Sequence, residues 1–346
     1  MIKSPILIVG CARSGTSLLY HVLSEAPELW SIGVESKAII ERYHHPAIKG
    51  WESGELTADD LTAESRDRML ADFAAQAAPG VYWQRVNAVK RMVNRSALYA
   101  ALKRRGQGDA SGAKVSSALP EGGLALFRAG ARLRNRVALP GAPIRLLDKS
   151  PEHCLRLPFL AALFPDARVL FITRNGRDNV HSLMEGWRQP HLFPGYQTPL
   201  AVTGEGQTRG RWAFTLIPGW QELADRPLEE ICAHQWSICN RFVLDYAASP
   251  GALPMLAIRY EAMIADPAGS LERIARFLDL LPERIPAYRN PLPEVNVVSA
   301  PGTEKWRRES AAIARVEPVL RPMMTRLGYV PKPDADHSAG PDRTVS

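Results

Sequence analysis

The apolar run Pro5-Ile-Leu-Ile-Val9 passes directly into Gly10-Cys-Ala-Arg-Ser-Gly-Thr-Ser17, and the apolar Leu18-Leu-Tyr-His-Val-Leu23 follows without a break. A buried strand, a glycine-bearing turn and a helix are thus written in one stretch. The backbone N–H groups of such a turn cradle an anion at the helix N-terminus. The spacing is that of a Walker A loop, with Gly10 and Gly15 in place and Ser17 ending it. Thr16 stands where the phosphate-gripping lysine of a nucleoside triphosphatase belongs, and Arg13 inside the loop is the substitute cation. The loop is expected to hold a phosphate-like ester other than ATP.

That departure resembles the sulfotransferases, whose donor is 3′-phosphoadenosine 5′-phosphosulfate (PAPS). In the branch that includes Golgi, tyrosylprotein and many bacterial enzymes the loop reads Arg-Ser-Gly-Thr-Ser/Thr, as residues 13–17 do here. The resemblance implies that Arg13, Ser14, Gly15, Thr16 and Ser17 hold the 5′-phosphosulfate, and that PAPS is the cofactor, with no metal. Arginine and lysine supply the charge that Mg²⁺ supplies in kinases.

The rest of the chain has the pattern such a loop requires. Strand-like runs occur at Ile6–Val9, Ile144–Leu147, Val169–Thr173 and Met255–Arg259, with a weaker one near Leu29–Val34. Helical patterns lie between and after them, at Thr16–Ser24, Pro151–Leu163, Arg177–Trp187, Glu229–Ala247, Ala268–Leu280 and Ala311–Leu327. Short β-rich runs alternating with helices predict an α/β fold, a P-loop-type central parallel β-sheet flanked by helices. Ligands in such folds bind beyond the carboxyl ends of the strands. One domain is expected over residues 1–330, followed by a disordered tail at 331–346 that is polar and rich in Pro and Gly.

Two stretches interrupt the pattern. Between Arg85 and Arg136 there are 12 Lys/Arg against 2 Asp/Glu, around a Gly/Ser-rich middle at 106–117. Residues 124–137 read as a basic amphipathic helix, so 85–142 is taken as a helical insertion. It is a solvated scaffold, a lid over the anionic cofactor, an acidic-acceptor site or a membrane-surface contact. Residues 189–212, rich in Gly and Pro, are expected to form a mobile loop over the acceptor site.

Further candidate residues fall just after strands. In Arg168-Val-Leu-Phe-Ile-Thr-Arg174 a buried run delivers Arg174 at its carboxyl end, and Ser182 follows two helical turns later. Arginine's planar fork matches a phosphate dianion and a hydroxyl adds a directed donor; an arginine at a strand end also serves as a plain surface ion pair. The pair resembles the sulfotransferase site for the 3′-phosphate. Leu147-Asp-Lys149-Ser-Pro-Glu-His153 resembles the Lys-Thr/Ser-Pro-x-His segment of the same branch. There Lys149 would neutralise charge on the leaving group, with Ser150 and Pro151 as helix-start residues. Glu35 sits where tyrosylprotein sulfotransferase-like enzymes place the glutamate that takes the acceptor proton. His153 is the rival base, or else a residue that caps or packs against the sheet. Towards the C-terminus, Tyr260 ends a strand beside the implied adenine pocket, and Lys305, Trp306 and Arg307 lie on a loop implied to close over the 3′-phosphate. The departures from the family pattern are Ala12, often proline there, and Asn175 in place of a common aspartate.

Bulk properties fit an ordinary soluble globular protein. Of the 346 residues, 46% are hydrophobic and 23% charged, and the longest apolar run is far below the ~20 residues of a membrane span. No secretory leader is legible at the N-terminus. The four cysteines have no zinc-like or disulfide-like spacing and read as small buried thiols of a reducing cytoplasm. A net charge of +7 suits nucleic acid, an anionic membrane or a polyanionic cofactor; no nucleic-acid module accompanies it, so no nucleic-acid partner is expected. The expected reaction is in-line transfer of sulfonate from PAPS to a hydroxyl acceptor: a carbohydrate, a small alcohol or phenol, a lipid or a peptide tyrosine. The alternatives are a P-loop kinase and a non-catalytic nucleotide-binding protein.

Overall fold

The computed structural model describes residues 1–94, 143–203, 210–288, 292 and 304–330. The basic run 124–137, the Gly/Ser-rich 106–117, residues 204–209 and the tail 331–346 lie outside the described residues. The strands are β1 (Ile6–Val9), β2 (Trp30–Ser31), β3 (Ala78–Pro79), β4 (Leu146–Lys149), β5 (Arg168–Thr173), β6 (Tyr196–Gln197), β7 (Arg211–Trp212) and β8 (Met255–Arg259). The main sheet runs β3-β2-β4-β1-β5-β8, parallel throughout except for the short antiparallel β3.

The strands are apolar on both sides because the sheet is covered on both sides. Successive side chains point to opposite faces. Leu7, Val9, Val169 and Phe171 therefore join one core, and Ile6, Ile8, Leu170 and Ile172 the other. The second core is closed by α1 (Thr16–Leu23) through Leu19 and Leu23. The first takes Ile39 and Ile40 of α2 (Lys37–His44), together with Met69 and Phe73 of α3 (Ala63–Gln76). A further helix, α4 (Gly80–Asn94), follows β3. Phe159 of α5 (Leu157–Leu163), Leu183 of α6 (Gly176–Trp187) and Trp236 of α7 (Leu228–Ala247) complete the first core's interior. Met263 of α8 (Tyr260–Ala265) and Ile274 of α9 (Pro267–Phe277) return to the second core, and Leu320 of α10 (Ser310–Arg326) to the first.

Several expectations are corrected. The strand expected at Ile144–Leu147 runs instead from Leu146 to Lys149, because Ile144 is spent on an isolated bridge to Ile2. The weak strand near Leu29–Val34 shrinks to Trp30–Ser31: Gly33 turns the chain at φ +75°, and the Trp83 ring fills the space a Cβ there would need. The expected helix Pro151–Leu163 breaks into a 3₁₀ turn, Pro151–Leu155, and α5. The break falls at Arg156, whose fully buried guanidinium donates to Gly54 O at 2.9 Å and to Glu41 at 2.7 Å. Helices α2 and α3 lie outside the helical patterns read from the sequence, and α4 starts at Gly80, so residues 85–94 of the expected helical insertion continue a helix that begins before it. In 189–212, the described part carries the β6–β7 pair: Tyr196 donates to Glu41 at 2.5 Å, and Arg211 donates to the carbonyls of Trp187 and Phe193. All four cysteines are buried and none forms a disulfide.

Candidate active site

The loop between β1 and α1 has the backbone an anion requires. Gly15 enters the helix at φ +107°, a conformation open to glycine, and a Cβ there would lie 2.5 Å from the Tyr260 ring. No side chain caps α1 and no acidic residue lies in its first turn, so its N-terminal N–H groups and dipole face the loop without a competing carboxylate. Thr16 is buried, at the position a triphosphate-binding lysine would occupy.

Two groups of side chains stand at the two ends of this loop. At the Ser17 end, Lys149 Nζ lies 3.1 Å from Ser17 Oγ and 2.5 Å from Glu35 Oε1. The Lys149 side chain is 6% exposed and the Glu35 side chain 42% exposed, so the lysine is a wall group and the glutamate meets solvent. Neighbouring contacts fix the segment that carries Glu35: Gly33 N donates to Tyr20 Oη at 2.9 Å, and Trp83 Nε1 donates to Ser31 O at 3.0 Å.

At the other end, Arg13 occupies left-handed backbone at φ +69°, which costs a non-glycine residue about 1–3 kcal/mol and is the kind of strain found at ligand clamps. Its guanidinium donates from Nε to Ser182 Oγ at 3.3 Å and lies 5.0 Å from the Phe193 ring centre. Arg174, at the end of β5, donates to the Arg13 carbonyl at 3.2 Å and stacks 4.8 Å from the Tyr260 ring centre. Burial, reinforced by the Arg174 charge, pushes the Arg13 guanidinium down to about 10. Lys305 is also pushed down, by burial first and then by Arg174 and Arg308, while Glu185 and Asp178 oppose the shift. Cations are crowded here, which suits an anionic ligand.

Of the sequence-predicted residues, Glu35, Lys149 and Ser17 are brought together, and so are Arg13, Ser182, Arg174 and Tyr260, with Lys305 beside Arg174. Asn175 caps α6 by accepting from Arg177 N at 3.0 Å, a structural role. Trp306 packs against the first core and receives Arg177 and Arg307 at 5.5 and 5.1 Å from its ring centre, in keeping with an anchor. Arg307 is exposed and bonded to Glu304, not gathered among the loop cations. His153 is fully buried, its Nε2 at 2.9 Å from Asp148 Oδ2 and 3.2 Å from Ser36 Oγ, and does not reach the cleft. Among the described residues no group of three or more His, Cys, Asp or Glu is arranged to hold a metal ion, and no helix is long and apolar enough to cross a membrane.

Comparison with known proteins decides the family. Residues 5–282 match the model of the sulfotransferase family. The chain belongs to that family. Its relatives include protein-tyrosine sulfotransferase A of Caenorhabditis elegans, 23% identical over 223 residues, which cover 58% of this chain and 50% of that protein. The chain thus spans about half the length of the curated relative it matches. Among solved structures, sulfotransferase STF9 from Mycobacterium avium aligns with a TM-score of 0.45 at 16% identity, covering 94% of this chain and 77% of that one. The sulfotransferase domain from the curacin biosynthetic pathway aligns at 0.42 and 14%, covering 95% and 99%.

Three residues of this sulfotransferase-family site were missed by the sequence reading. Phe193 stacks on Arg13, Glu185 opposes the cation crowding one helical turn beyond Ser182, and Tyr20 holds the turn at Gly33. Only Glu185 had a usable signal, its position three residues after Ser182 on one helix face.

Proposed function

We propose that this chain transfers sulfonate from PAPS to a hydroxyl-bearing acceptor by in-line displacement. The observation that carries the reading is Lys149 Nζ at hydrogen-bond distance from both Ser17 of the anion loop and Glu35. One cation thereby links the place where a phosphate leaves to the group able to take a proton.

The residues present fit the donor. The uncapped start of α1, with Gly15 to Ser17, offers N–H groups to the 5′-phosphosulfate, and Ser14, whose N–H donates to Cys11 O, offers its hydroxyl; Arg13 adds its charge from the Ser182 side of the loop. Arg174, Ser182 and Lys305 hold the 3′-phosphate, where the crowding of cations is relieved by a dianion, and Tyr260 borders the adenine. When bound, the donor supplies an activated sulfonate on a phosphate leaving group. Lys149 keeps a positive charge at the loop mouth, offsetting negative charge that develops on the departing phosphate. Glu35 accepts the hydroxyl proton of the acceptor. We assign this role to Glu35 in preference to His153, because only the glutamate meets solvent beside the loop.

The kinase alternative is weakened by two side chains. Thr16 replaces the triphosphate lysine, and Asp148, the one acidic residue in the strand beside β1, accepts from Ser36 and His153 on the other face of the sheet from the loop. Thermal denaturation tests the assignment. The bisphosphate product, 3′-phosphoadenosine 5′-phosphate (PAP), should raise the melting temperature far more than ATP or ADP. Ligand at a hundredfold excess over Kd stabilises a native state by about 3 kcal/mol. Equal shifts for all three nucleotides, or a shift that needs Mg²⁺, would overturn it. Labelled PAPS offered with pools of carbohydrates, phenols, lipids and tyrosine peptides then identifies the acceptor from the compound that gains the sulfonate mass.

A further inference from the structure

Behind the Glu35–Lys149 pair lies a second set of contacts between the same two chain segments. Ser36 follows Glu35, and Asp148 precedes Lys149. Ser36 Oγ is 2.8 Å from Asp148 Oδ2, which also lies 2.9 Å from His153 Nε2; Ser36 Oγ and His153 Nε2 are 3.2 Å apart. All three residues are 0% exposed. A carboxylate only accepts, so the Ser36 hydroxyl and the His153 Nε2–H both donate to it, as a buried carboxylate requires.

Strand geometry explains the arrangement. Successive side chains of β4 point to opposite faces, so Asp148 and Lys149 leave the strand end on opposite sides of the sheet. Leu146 belongs to the first core and Leu147 to the second, which puts Asp148 on the first side and Lys149 on the second, beside α1. The segment after β2 crosses the end of β4, to which β2 is paired in parallel register. It meets Lys149 with Glu35 on one face and Asp148 with Ser36 on the other. Two consecutive residues of one segment are thereby bonded to two consecutive residues of a strand end.

We propose that Ser36, Asp148 and His153 form a buried clamp that positions the Glu35 carboxylate against Lys149. They are positioning residues and touch no substrate. The proposal rests on Glu35 acting as the base. Tyr20 and Trp83 hold the connection between β2 and α2 only as far as Gly33, two residues short of Glu35, whereas proton transfer demands that the carboxylate be placed to within a fraction of an ångström. The clamp supplies that fixation from the dry side of the sheet. It also gives His153 a role consistent with its complete burial.

The test is a double-mutant cycle. Turnover is read as PAP released from PAPS near neutral pH, with phenol offered as acceptor and with water alone, since both are protonated there and the acceptor oxygen loses a proton in both cases. Ser36→Ala should lower kcat by about ten- to a hundred-fold, the cost of a catalytic group displaced by about an ångström. It should leave the PAP-induced rise in melting temperature unchanged. In a Glu35→Gln background the same Ser36→Ala change should cost less than about twofold, because the group it positions is already disabled. Ser36→Thr, which keeps the hydroxyl, should restore most of the loss. Asp148→Asn, which keeps the side-chain shape, should show the same dependence on Glu35 and serves if Ser36→Ala does not fold. Wild-type kcat in Ser36→Ala, or an equal loss in both backgrounds, overturns the clamp while leaving Glu35 as the base. Wild-type kcat in Glu35→Gln alone overturns the base assignment, and the clamp with it.

Discussion

The two ends of the anion loop are built on opposite electrostatic plans. At the Arg13 end, burial first and then the charge of Arg174 push Arg13 and Lys305 down, against opposition from Glu185. At the Ser17 end, a single buried ammonium is matched by a single carboxylate at 2.5 Å. Surplus positive charge favours a bound anion in every state of a reaction and so stabilises ground and transition states alike. A matched acid–base pair gains little from holding an anion, but it can respond as charge and a proton move. On the function proposed above, this one loop would separate affinity from turnover, and substitutions at its two ends should have different kinetic signatures.

The largest expected effect tests the turnover end. Glu35→Gln should lower kcat by about a hundred- to ten-thousand-fold, the usual loss on removing a general base. PAP affinity, measured by calorimetry, should stay at the wild-type value. If Glu35→Gln instead weakened PAP and spared kcat, the division between the two ends would be lost. Next in size is Arg174→Ala at the affinity end. Truncating one side of a charge-assisted phosphate contact costs about 2–5 kcal/mol, which should appear as weaker PAP binding and a raised KM for PAPS. Turnover at saturating donor should fall much less.

This division also tracks what the sequence discloses. Arg174 follows an apolar strand, Lys149 ends one, and Arg13 and Ser182 lie in the turn and the helix after one; a strand-turn-helix signal is local and needs no knowledge of distant residues. The sheet was legible for the same reason, since β1, β5 and β8 are unbroken apolar runs. Helix α3 was missed although Ser65, Met69 and Phe73 recur at four-residue spacing, because only these three of its fourteen residues are buried. Strands β2 and β3 are two residues long, too short for a period to show. Arg156 reads as an ordinary surface cation until Glu41, 115 positions away, supplies its partner. The clamp is the sharpest case. Asp148 and His153 lie within the segment quoted around Lys149, and Ser36 is next to Glu35, but their mutual contact depends on β2 pairing with β4, which no local pattern states.

A smaller effect tests whether both ends depend on the same backbone. Gly15→Ala forces a left-handed φ on a residue with a Cβ and drives that Cβ against Tyr260. Strain of this kind costs about 1–3 kcal/mol, so the melting temperature should fall by several degrees. Because Tyr260 also stacks on Arg174, PAP binding should weaken along with stability. A variant as stable as wild type, with unchanged PAP affinity, would mean that the turn relaxes without disturbing either end.

The smallest expected difference separates neighbours on the loop before α10. Lys305 is partly buried and close enough to Arg174 to feel its charge, whereas Arg307 is exposed, stacked on Trp306 and paired with an equally exposed Glu304. Solvent and salt screen the Arg307 charge, and exposed pairs of this sort contribute little. Lys305→Met should therefore weaken PAP by about tenfold, the change equivalent to losing one modest charged contact. Arg307→Ala should change it by less than about threefold, with the residual effect vanishing at high ionic strength. Both affinities are measured in one titration series against PAP at two salt concentrations. Equal losses in the two variants would show that Arg307 abandons Glu304 on binding and turns to the 3′-phosphate, as the family resemblance implies. In that case the loop, and not only the end of β5, would belong to the affinity half of the site.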